Sequence, residues 1–433
     1  MSPVLTGILG LIVLVAVCLA GVPVSFAMAV IGFMGFAYLT SIESAFSMAG
    51  IELLSSFSSY SLSVVPAFAL MGYLAFSTGI SKRLYDAVYT MFGHIRGGLG
   101  IATILGCAGF SAICGSTSAT AASMGAVALP EMQRYRYNQA LATGCVAAGG
   151  TLGILIPPST VLVVYGVMTE QSIGKLLIAG ILPGLLLTSL FVLVIVLLCL
   201  RNPAIAPAGE RSTLRQKVAG LSAVAEVLII FCLVMGGLFT GWFTPTQAGG
   251  AGCLAILVLV LIRRRFGWKE FLEATKETAL LTAMVLMIVA GGTMFSRFIA
   301  VTGLPFILRD WMAGLPLPPT AIMLLIMVMH LLGGCFMDAF ALIILTVPIF
   351  FPLVIELGFD PIWFGVAIVL LVEAGAITPP VGLNVFVIKG IARDVPIETI
   401  FKGAAPFVVA VIACIAILTI FPQIATFLPN LMR

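Results

Sequence analysis

Charged side chains are scarce in this sequence. Only 9% of its 433 residues are Asp, Glu, Lys or Arg, whereas 61% are hydrophobic. A soluble domain has about 25% charged and about 45–50% apolar residues, so this composition excludes a soluble globular enzyme, a disordered chain and a nucleic-acid-binding protein. Because a transmembrane helix needs about 20 apolar residues, the chain contains enough apolar sequence for on the order of ten spans.

The sequence also lacks the common motifs of catalysis and metal binding. It has two histidines, and its nine cysteines are odd in number, lie within apolar runs and form no CxxC pair. We therefore interpret the cysteines as small buried side chains. The sequence contains no HExxH, paired-aspartate, GxSxG or GxxxxGK[ST] motif. These absences argue against an integral membrane enzyme and against ATP hydrolysis by this chain.

Glycine and proline, in contrast, are abundant, with 45 and 23 residues. Irregular backbone at membrane depth is tolerated only where it is buried in protein or lines a cavity. We interpret the segments at about 99–130 and 319–352 as re-entrant hairpins, and those at about 139–168 and 361–388 as broken helices. Each half of the chain then has about five transmembrane helices plus one re-entrant hairpin, which predicts an all-α polytopic membrane protein.

The basic residues support this arrangement. With both hairpins in place, 17 of the 21 Lys and Arg residues fall on one side of the membrane and three on the other, while Arg297 lies inside a span. Cytoplasmic loops are enriched in Lys and Arg, so the basic side is predicted to be the cytoplasm, with both termini outside. The segments 80–97 and 266–282 are amphipathic, which favours helices that lie along the membrane surface.

The two halves share landmarks at a nearly constant separation. The double proline at 157–158 is repeated 222 residues later, at 379–380. We predict a first repeat over 1–205, a cytoplasmic linker over 206–217 and a second repeat over 218–433. Because five crossings are an odd number, the second repeat is inverted, and inverted repeats with discontinuous helices are typical of secondary transporters.

Adjacent prolines explain the predicted helix breaks. The residues concerned are Pro157, Pro158, Pro379 and Pro380. Two adjacent prolines remove two amide donors, and the residue before them leaves the helical conformation. Carbonyls at about 153–156 and 375–378 are then left uncovered, which is costly in hydrocarbon unless something binds them. A small monovalent cation is a natural partner, and the half-helix N-termini favour an anionic substrate.

Polar residues lie where each hairpin is expected to turn. Ser116 and Thr117 are in the first hairpin, and their hydroxyls can cover freed backbone groups or coordinate a hard ion. Asp338 takes the place of Ser116 in the second hairpin. A carboxylate in an apolar run is costly and usually functional, so Asp338 either binds a cation directly or caps the start of a half-helix.

Three more charged residues lie in or beside predicted spans. Arg297 suits bidentate capture of a carboxylate, or it snorkels to the interface from near a helix end. The sequence assigns no role to Glu170 or Glu373.

Four segments carry a resemblance to a known family: GFSAICGSTSATAASMGAVALPEM, GGTLGILIPPS, DAFALIILTVPIFFP and GAITPPVGLN. With them the chain resembles, over almost its whole length, the large membrane subunit of TRAP (tripartite ATP-independent periplasmic) transporters in the ion-transporter superfamily. The resemblance implies sodium coupling and an elevator mechanism, in which a transport domain with both hairpins moves against a fixed scaffold. It also implies a bacterial inner-membrane location, a small membrane partner subunit, a periplasmic binding protein and a carboxylate substrate such as a dicarboxylate or a sialic acid.

The resemblance further implies site residues, most of which would bind through backbone carbonyls. One sodium site is expected at Gly334, Gly375, Thr378 and Val381. Its counterpart in the first half is expected at Ala112, Gly153, Ile156 and Ser159. The substrate pocket is expected between the hairpin tips, with the candidates Ser116, Thr117, Asp338 and Asn384, and Arg297 as a separate candidate.

Two other transport functions stay open at this point. A stand-alone sodium–dicarboxylate symporter of the same superfamily would need no binding protein. A passive channel would show neither sodium dependence nor saturation.

Overall fold

A computed structural model describes residues 2–209, 212–263, 267–314 and 316–432, and every regular element in these ranges is a helix. The prediction of an all-helical polytopic membrane protein is confirmed. Within these ranges, six helical segments are long and apolar enough to cross a membrane, and shorter apolar helices accompany them. The six are Ile173–Arg201, Leu214–Phe239, Pro245–Ile262, Trp268–Val301, Ala339–Glu356 and Ile397–Ile420.

The first half of the chain contains a hairpin of two helices, α6 and α7, followed by a broken helix, α8 and α9. The helices of this half are α1 (Pro3–Leu19), α2 (Val24–Leu39), α3 (Ile42–Phe57), α4 (Val64–Ser77), α5 (Ile80–Phe92), α6 (Gly98–Cys114), α7 (Thr117–Arg134), α8 (Gln139–Thr151), α9 (Thr160–Thr169), α10 (Ile173–Ala179) and α11 (Ile181–Arg201).

The second half repeats this order of elements, with a hairpin of α16 and α17 followed by a broken helix of α18 and α19. Its helices are α12 (Leu214–Phe239), α13 (Pro245–Arg263), α14 (Trp268–Val301), α15 (Leu304–Ala313), α16 (Pro319–Gly334), α17 (Ala339–Glu356), α18 (Pro361–Gly375), α19 (Leu383–Ile391), α20 (Ile397–Ile420) and α21 (Gln423–Leu431).

Two elements differ from the sequence-based expectation. The amphipathic segment 266–282 is no separate helix: residue 266 lies outside the described residues, and 268–282 form the first part of α14, which continues for 34 residues. No glycine or proline interrupts the chain between 268 and 290, so nothing ends the helix there. No pattern in the sequence predicted α3. Ser41 caps this helix, because its hydroxyl accepts a hydrogen bond from the amide of Ser44 at 3.1 Å.

The hairpins and broken helices form the centre of the molecule. The helix α8 is buried from residue 141 onward, and α18 from residue 363 onward. The helix α8 packs against α20, where Gly403 approaches the backbone of Ala140 so closely that a Cβ would clash with it. Small residues at such contacts let helices approach within the membrane. Around this centre, α14 packs against α2 and α4.

The linker between the halves is attached to the base of the first hairpin. The amide of Gly97 donates to the carbonyl of Ala206 at 3.2 Å, and the amide of Gly209 donates to the carbonyl of Gly93 at 2.8 Å. Ala206 is fully buried. The beginning of the linker is therefore part of the folded structure rather than a free strand.

Candidate functional site at two interrupted helices

The first break, between α8 and α9, is buried from end to end. All residues from 151 to 160 are buried. Ser159 caps α9, because its hydroxyl accepts a hydrogen bond from the amide of Leu162 at 3.2 Å. Among the described residues, no hydrogen bond reaches the carbonyls of residues 153–156. These carbonyls are therefore removed from water without a hydrogen-bond donor among the described residues.

The tip of the first hairpin packs backbone to backbone against this break. Gly115 and Ser116 alone join α6 to α7, and Gly115 has a φ of 66°, a conformation that favours glycine. A Cβ on Gly153 would lie 2.5 Å from the carbonyl oxygen of Ser116, and one on Gly115 would lie 2.7 Å from that of Pro158. Neither glycine has room for a side chain, so the tip and the break form one packed unit.

Hydrogen bonds cover part of the second break, between α18 and α19. The carbonyl of Gly375 accepts from the amide of Thr378 at 3.0 Å, and that of Ala376 accepts from the amide of Asn384 at 3.0 Å. In the part of the chain that the structure describes, the carbonyls of Ile377 and Thr378 accept none. The prediction of uncovered carbonyls over 375–378 is thus right for Ile377 and Thr378. It is wrong for Gly375 and Ala376, because amides of the turn and of the start of α19 donate to their carbonyls.

The tip of the second hairpin contacts this second break. Four residues, 335–338, join α16 to α17. A Cβ on Gly334 would lie 3.4 Å from the Cα of Gly375, so the two glycines meet backbone to backbone. The amide of Val381 donates to the carbonyl of Cys335 at 3.3 Å. Each break is therefore held by the hairpin of its own half.

Asp338 caps the second helix of its hairpin. Its Oδ1 accepts from the amides of Phe340 at 2.9 Å and Ala341 at 3.1 Å. Ser116 does the same for α7, accepting from the amide of Ala119 at 3.4 Å. Of the two roles that the sequence left open for Asp338, the structure shows the cap.

The four residues expected to form the second-half sodium site lie together. Gly334, Gly375 and Val381 are joined by the contacts between tip and break. Thr378 lies at the break itself, where its hydroxyl donates to the carbonyl of Ala374 at 2.6 Å.

The four residues expected in the first half are less closely grouped. Gly153, Ile156 and Ser159 belong to the same break. Gly153 approaches Ser116 of the tip, whereas Ala112 lies a turn earlier, on α6. The two halves therefore do not use equivalent tip residues, although their sequences align.

Two side-chain contacts connect the halves at this centre. The hydroxyl of Thr117 donates to Oε1 of Glu373 at 2.8 Å, and Nδ2 of Asn384 donates to the carbonyl of Ala147 at 3.2 Å. Thr117 and Asn384 were expected at the substrate pocket, but Glu373 had no role. An acid within an apolar run was the signal for Glu373; the sequence did not identify its partner, which lies in the other half.

Arg297 lies apart from the other substrate candidates. Its Nε donates to Oε1 of Glu52, on α3, at 2.7 Å. The side chain of Arg297 is 64% exposed and that of Glu52 only 9%. The guanidinium thus has a carboxylate partner within the chain, and it is joined to α3 rather than to a hairpin tip.

Known proteins resemble this chain over most of its length. The family model described as "Tripartite ATP-independent periplasmic transporter, DctM component" matches residues 11–424. The chain is 37% identical over 381 residues to the C4-dicarboxylate TRAP transporter large permease protein DctM of Pseudomonas aeruginosa, covering 88% of each chain. It is 33% identical over 416 residues to the sialic acid TRAP transporter large permease protein SiaM of Vibrio cholerae, covering 95% of this chain and 96% of the relative.

A solved structure has a similar fold. The Alcanivorax borkumensis YdaH transporter matches with a TM-score of 0.63 over 88% of each chain, at 16% sequence identity.

Proposed function

Because the chain belongs to the family of DctM components of tripartite ATP-independent periplasmic transporters, we propose that it imports a small carboxylate solute together with sodium ions. As a member of this family it is a multi-pass transport permease rather than an enzyme. Its place is the bacterial inner membrane, where the sodium gradient and the membrane potential supply the energy. The potential contributes about 2.3 kcal/mol per elementary charge per 100 mV.

The observation that carries the proposal is the pair of uncovered carbonyl stretches. The backbone carbonyls of residues 153–156, and those of Ile377 and Thr378, accept no hydrogen bond within the described residues. Both stretches lie in interrupted helices of an apolar protein, and the first is wholly buried. A carbonyl that is removed from water and left unsatisfied costs several kcal/mol. A sodium ion at each break provides the missing partner. Because each break touches a hairpin tip, bound sodium also holds the tip in place.

The tips offer the features that a carboxylate needs. The helices α7 and α17 begin at the two tips, and helix N-termini attract negative charge. Ser116, Thr117, Asp338 and Asn384 are the proposed substrate residues there. The relatives named above are permeases for C4-dicarboxylates and for sialic acid, and both kinds of solute carry a carboxylate.

The proposed movement is an elevator. The transport domain would contain both hairpins and both broken helices, and the other spans, α14 among them, would form the scaffold. The inverted relation of the two halves lets them exchange roles as the site opens first to one side and then to the other.

Partner subunits follow from the family. Its relatives are named large permeases, so we propose a separate small membrane subunit and a periplasmic protein that delivers the solute. The linker is attached to the base of the first hairpin, beside Arg96, Arg134 and Arg136. This gathering of basic residues supports a cytoplasmic position for the hairpin base and a periplasmic position for both termini.

Uptake of radiolabelled solute into proteoliposomes tests the proposed function. The vesicles contain the chain with its small subunit, and an inward sodium gradient is applied with and without the purified binding protein. Saturable uptake that needs both sodium and the binding protein supports the proposal. Uptake that needs sodium alone indicates the stand-alone symporter, and unsaturable flux without sodium dependence indicates a channel.

A further inference from the structure

Glu373 is a buried acid that lacks a basic partner. The residue is 3% exposed. Its Oε1 accepts the hydrogen bond from Thr117, while Oε2 has no partner. None of the ion pairs between described residues includes Glu373. Burial of an uncompensated carboxylate is strongly unfavourable, so either a proton or a cation neutralises this group.

Asn384 presents a second buried oxygen without a partner. The residue is 1% exposed. Its Nδ2 donates to the carbonyl of Ala147, whereas Oδ1 accepts no hydrogen bond. A buried acceptor left unpaired loses its hydration without compensation. The amide is fixed by its donor side, so a ligand must come to the oxygen.

Gly150 connects these two residues in space. A Cβ on Gly150, in α8, would lie 3.2 Å from Nδ2 of Asn384 and 3.3 Å from the carbonyl oxygen of Thr117. Thr117 is the residue that holds Glu373. Thr117 and Asn384 therefore both lie beside Gly150, which places Glu373 and Asn384 in one neighbourhood built from α7 and α8 of the first half and α18 and α19 of the second.

We infer that Glu373 and Asn384 bind a monovalent cation, in a site additional to those at the two helix breaks. Both unpaired atoms are oxygen acceptors, the ligands that hard cations prefer. One carboxylate matches a single positive charge. No group of three or more His, Cys, Asp or Glu exists among the described residues, which disfavours a divalent or transition metal.

The inference rests on the proposed function for the identity of the ion, which is sodium. Glu373 lies two residues before Gly375, and Thr117 lies at the tip of the first hairpin. A cation here would connect the second break with the first hairpin, so that both halves sense the same ion. The contacts between tip and break described above each join a break to the hairpin of its own half, although α19 also packs against α7 and α9 against α17.

Thermal unfolding of the purified full-length chain in lipid nanodiscs tests this site. The Tm is measured against sodium chloride concentration, with choline chloride keeping the ionic strength constant. The variants are Glu373→Gln, which removes the charge and keeps the acceptor for Thr117, and Thr378→Ala, which alters the site at the second break. Glu356→Gln is the matched control, since it removes a half-exposed carboxylate elsewhere.

The expected result has two parts. Glu373→Gln raises the sodium concentration for half-maximal stabilisation about tenfold or more, and in choline alone it has a higher Tm than the unchanged chain, because no charge is buried without its cation. Glu356→Gln leaves the sodium response unchanged. Equilibrium binding of sodium is also measured on the unchanged chain, so that this result depends on no variant. It should give one ion for each of the two helix breaks and one further ion per chain.

Three outcomes would overturn the site. One is a Glu373→Gln response to sodium equal to that of the unchanged chain. Another is a Tm lowered equally in sodium and in choline, which indicates a structural hydrogen bond only. The third is a difference in Tm between the unchanged chain and Glu373→Gln that changes with pH but not with sodium. That result indicates that Glu373 binds a proton. If Thr378→Ala loses its sodium response and Glu373→Gln does not, this site alone fails; if the unchanged chain has no sodium response, the proposed function fails with it.

Discussion

The two helix breaks have the same landmarks but differ in exposure. Each has a double proline, uncovered carbonyls and a hairpin tip in contact with it. In the first break, Pro157 and Pro158 are buried, whereas in the second Pro379, Pro380 and Val381 are exposed. Two residues form the turn of the first hairpin and four form that of the second.

This difference shows that repeated sequence landmarks do not impose equal packing. The first break is buried beneath its tip, whereas the prolines of the second break are exposed in the chain. The proposed elevator would use such a difference, because only one side of an alternating-access site is open at a time. Variants that change one break and leave the other unchanged therefore show what each break contributes to transport and to stability.

Added side chains at the glycine contacts should have the largest effect. Gly153→Ala places a Cβ 2.5 Å from the carbonyl oxygen of Ser116, and such overpacking costs about 1–3 kcal/mol. We expect loss of sodium-driven uptake and a lower Tm. Gly375→Ala should also abolish uptake, with at least as large a loss of Tm, because Gly375 is buried and its Cβ would meet the backbone of Gly334 even more closely.

The matched control for these two variants is Gly390→Ala. A Cβ on Gly390 meets nothing within 4 Å, and alanine favours the helix, so transport and Tm should be preserved. Transport by Gly153→Ala at the rate of the unchanged chain would contradict the close packing of tip and break.

The two hydroxyls at the breaks should give the next largest effect. Either Thr378→Ala or Ser159→Ala is expected to raise the sodium concentration for half-maximal uptake roughly tenfold. Only Ser159→Ala should also lower stability, by about 1 kcal/mol, since this hydroxyl caps α9. Sodium-dependent uptake and urea unfolding measure the two effects. Equal sodium dependence in both variants and the unchanged chain would argue against both sites.

Asp338 should show a smaller effect that depends on the substitution. Asn caps helices as well as Asp does, so Asp338→Asn is expected to keep uptake within about twofold if the residue acts as a cap. Asp338→Ala removes the acceptor for two amides and should cost about 0.5–2 kcal/mol in the free energy of unfolding. A large rise in the sodium requirement of Asp338→Asn would instead make the carboxylate a cation ligand.

The ion pair of Arg297 should have the smallest effect. Only the arginine end of this pair is exposed, since the side chain of Arg297 is 64% exposed and that of Glu52 is 9% exposed. Because lysine keeps the positive charge, the effect should not exceed that of an exposed pair, about 0.2–1 kcal/mol. A double-mutant cycle of Arg297→Lys and Glu52→Gln should give a coupling energy of this size, with an unchanged solute dose–response. A higher solute requirement in Arg297→Lys, with no change in stability, would show that the guanidinium binds the carboxylate of the solute.

Local chemistry made much of this structure predictable. Adjacent prolines break helices wherever they occur, so the breaks could be located from the sequence. The hairpins followed from the distribution of charge between the two sides. In contrast, α3 has serines and glutamates among its apolar residues, and it packs against α2 and α14, contacts that no local pattern reveals.

The contacts of the site depend on distances that the sequence does not contain. Alignment of the halves pairs Gly153 with Gly375, and the same tip contacts would be expected for both. In the structure, however, Gly153 meets Ser116 while Gly375 meets Gly334. The partner of Glu373 lies 256 residues away in the chain, and only the folded structure brings the two together.

The most direct test of the account is a cryo-EM comparison of the intact transporter in sodium and in choline. We expect an ion at each break in sodium, in contact with the carbonyls of residues 153–156 in the first half and with those of Ile377 and Thr378 in the second, and no such density in choline. Continuous helices through both breaks, or breaks without an ion in saturating sodium, would contradict it.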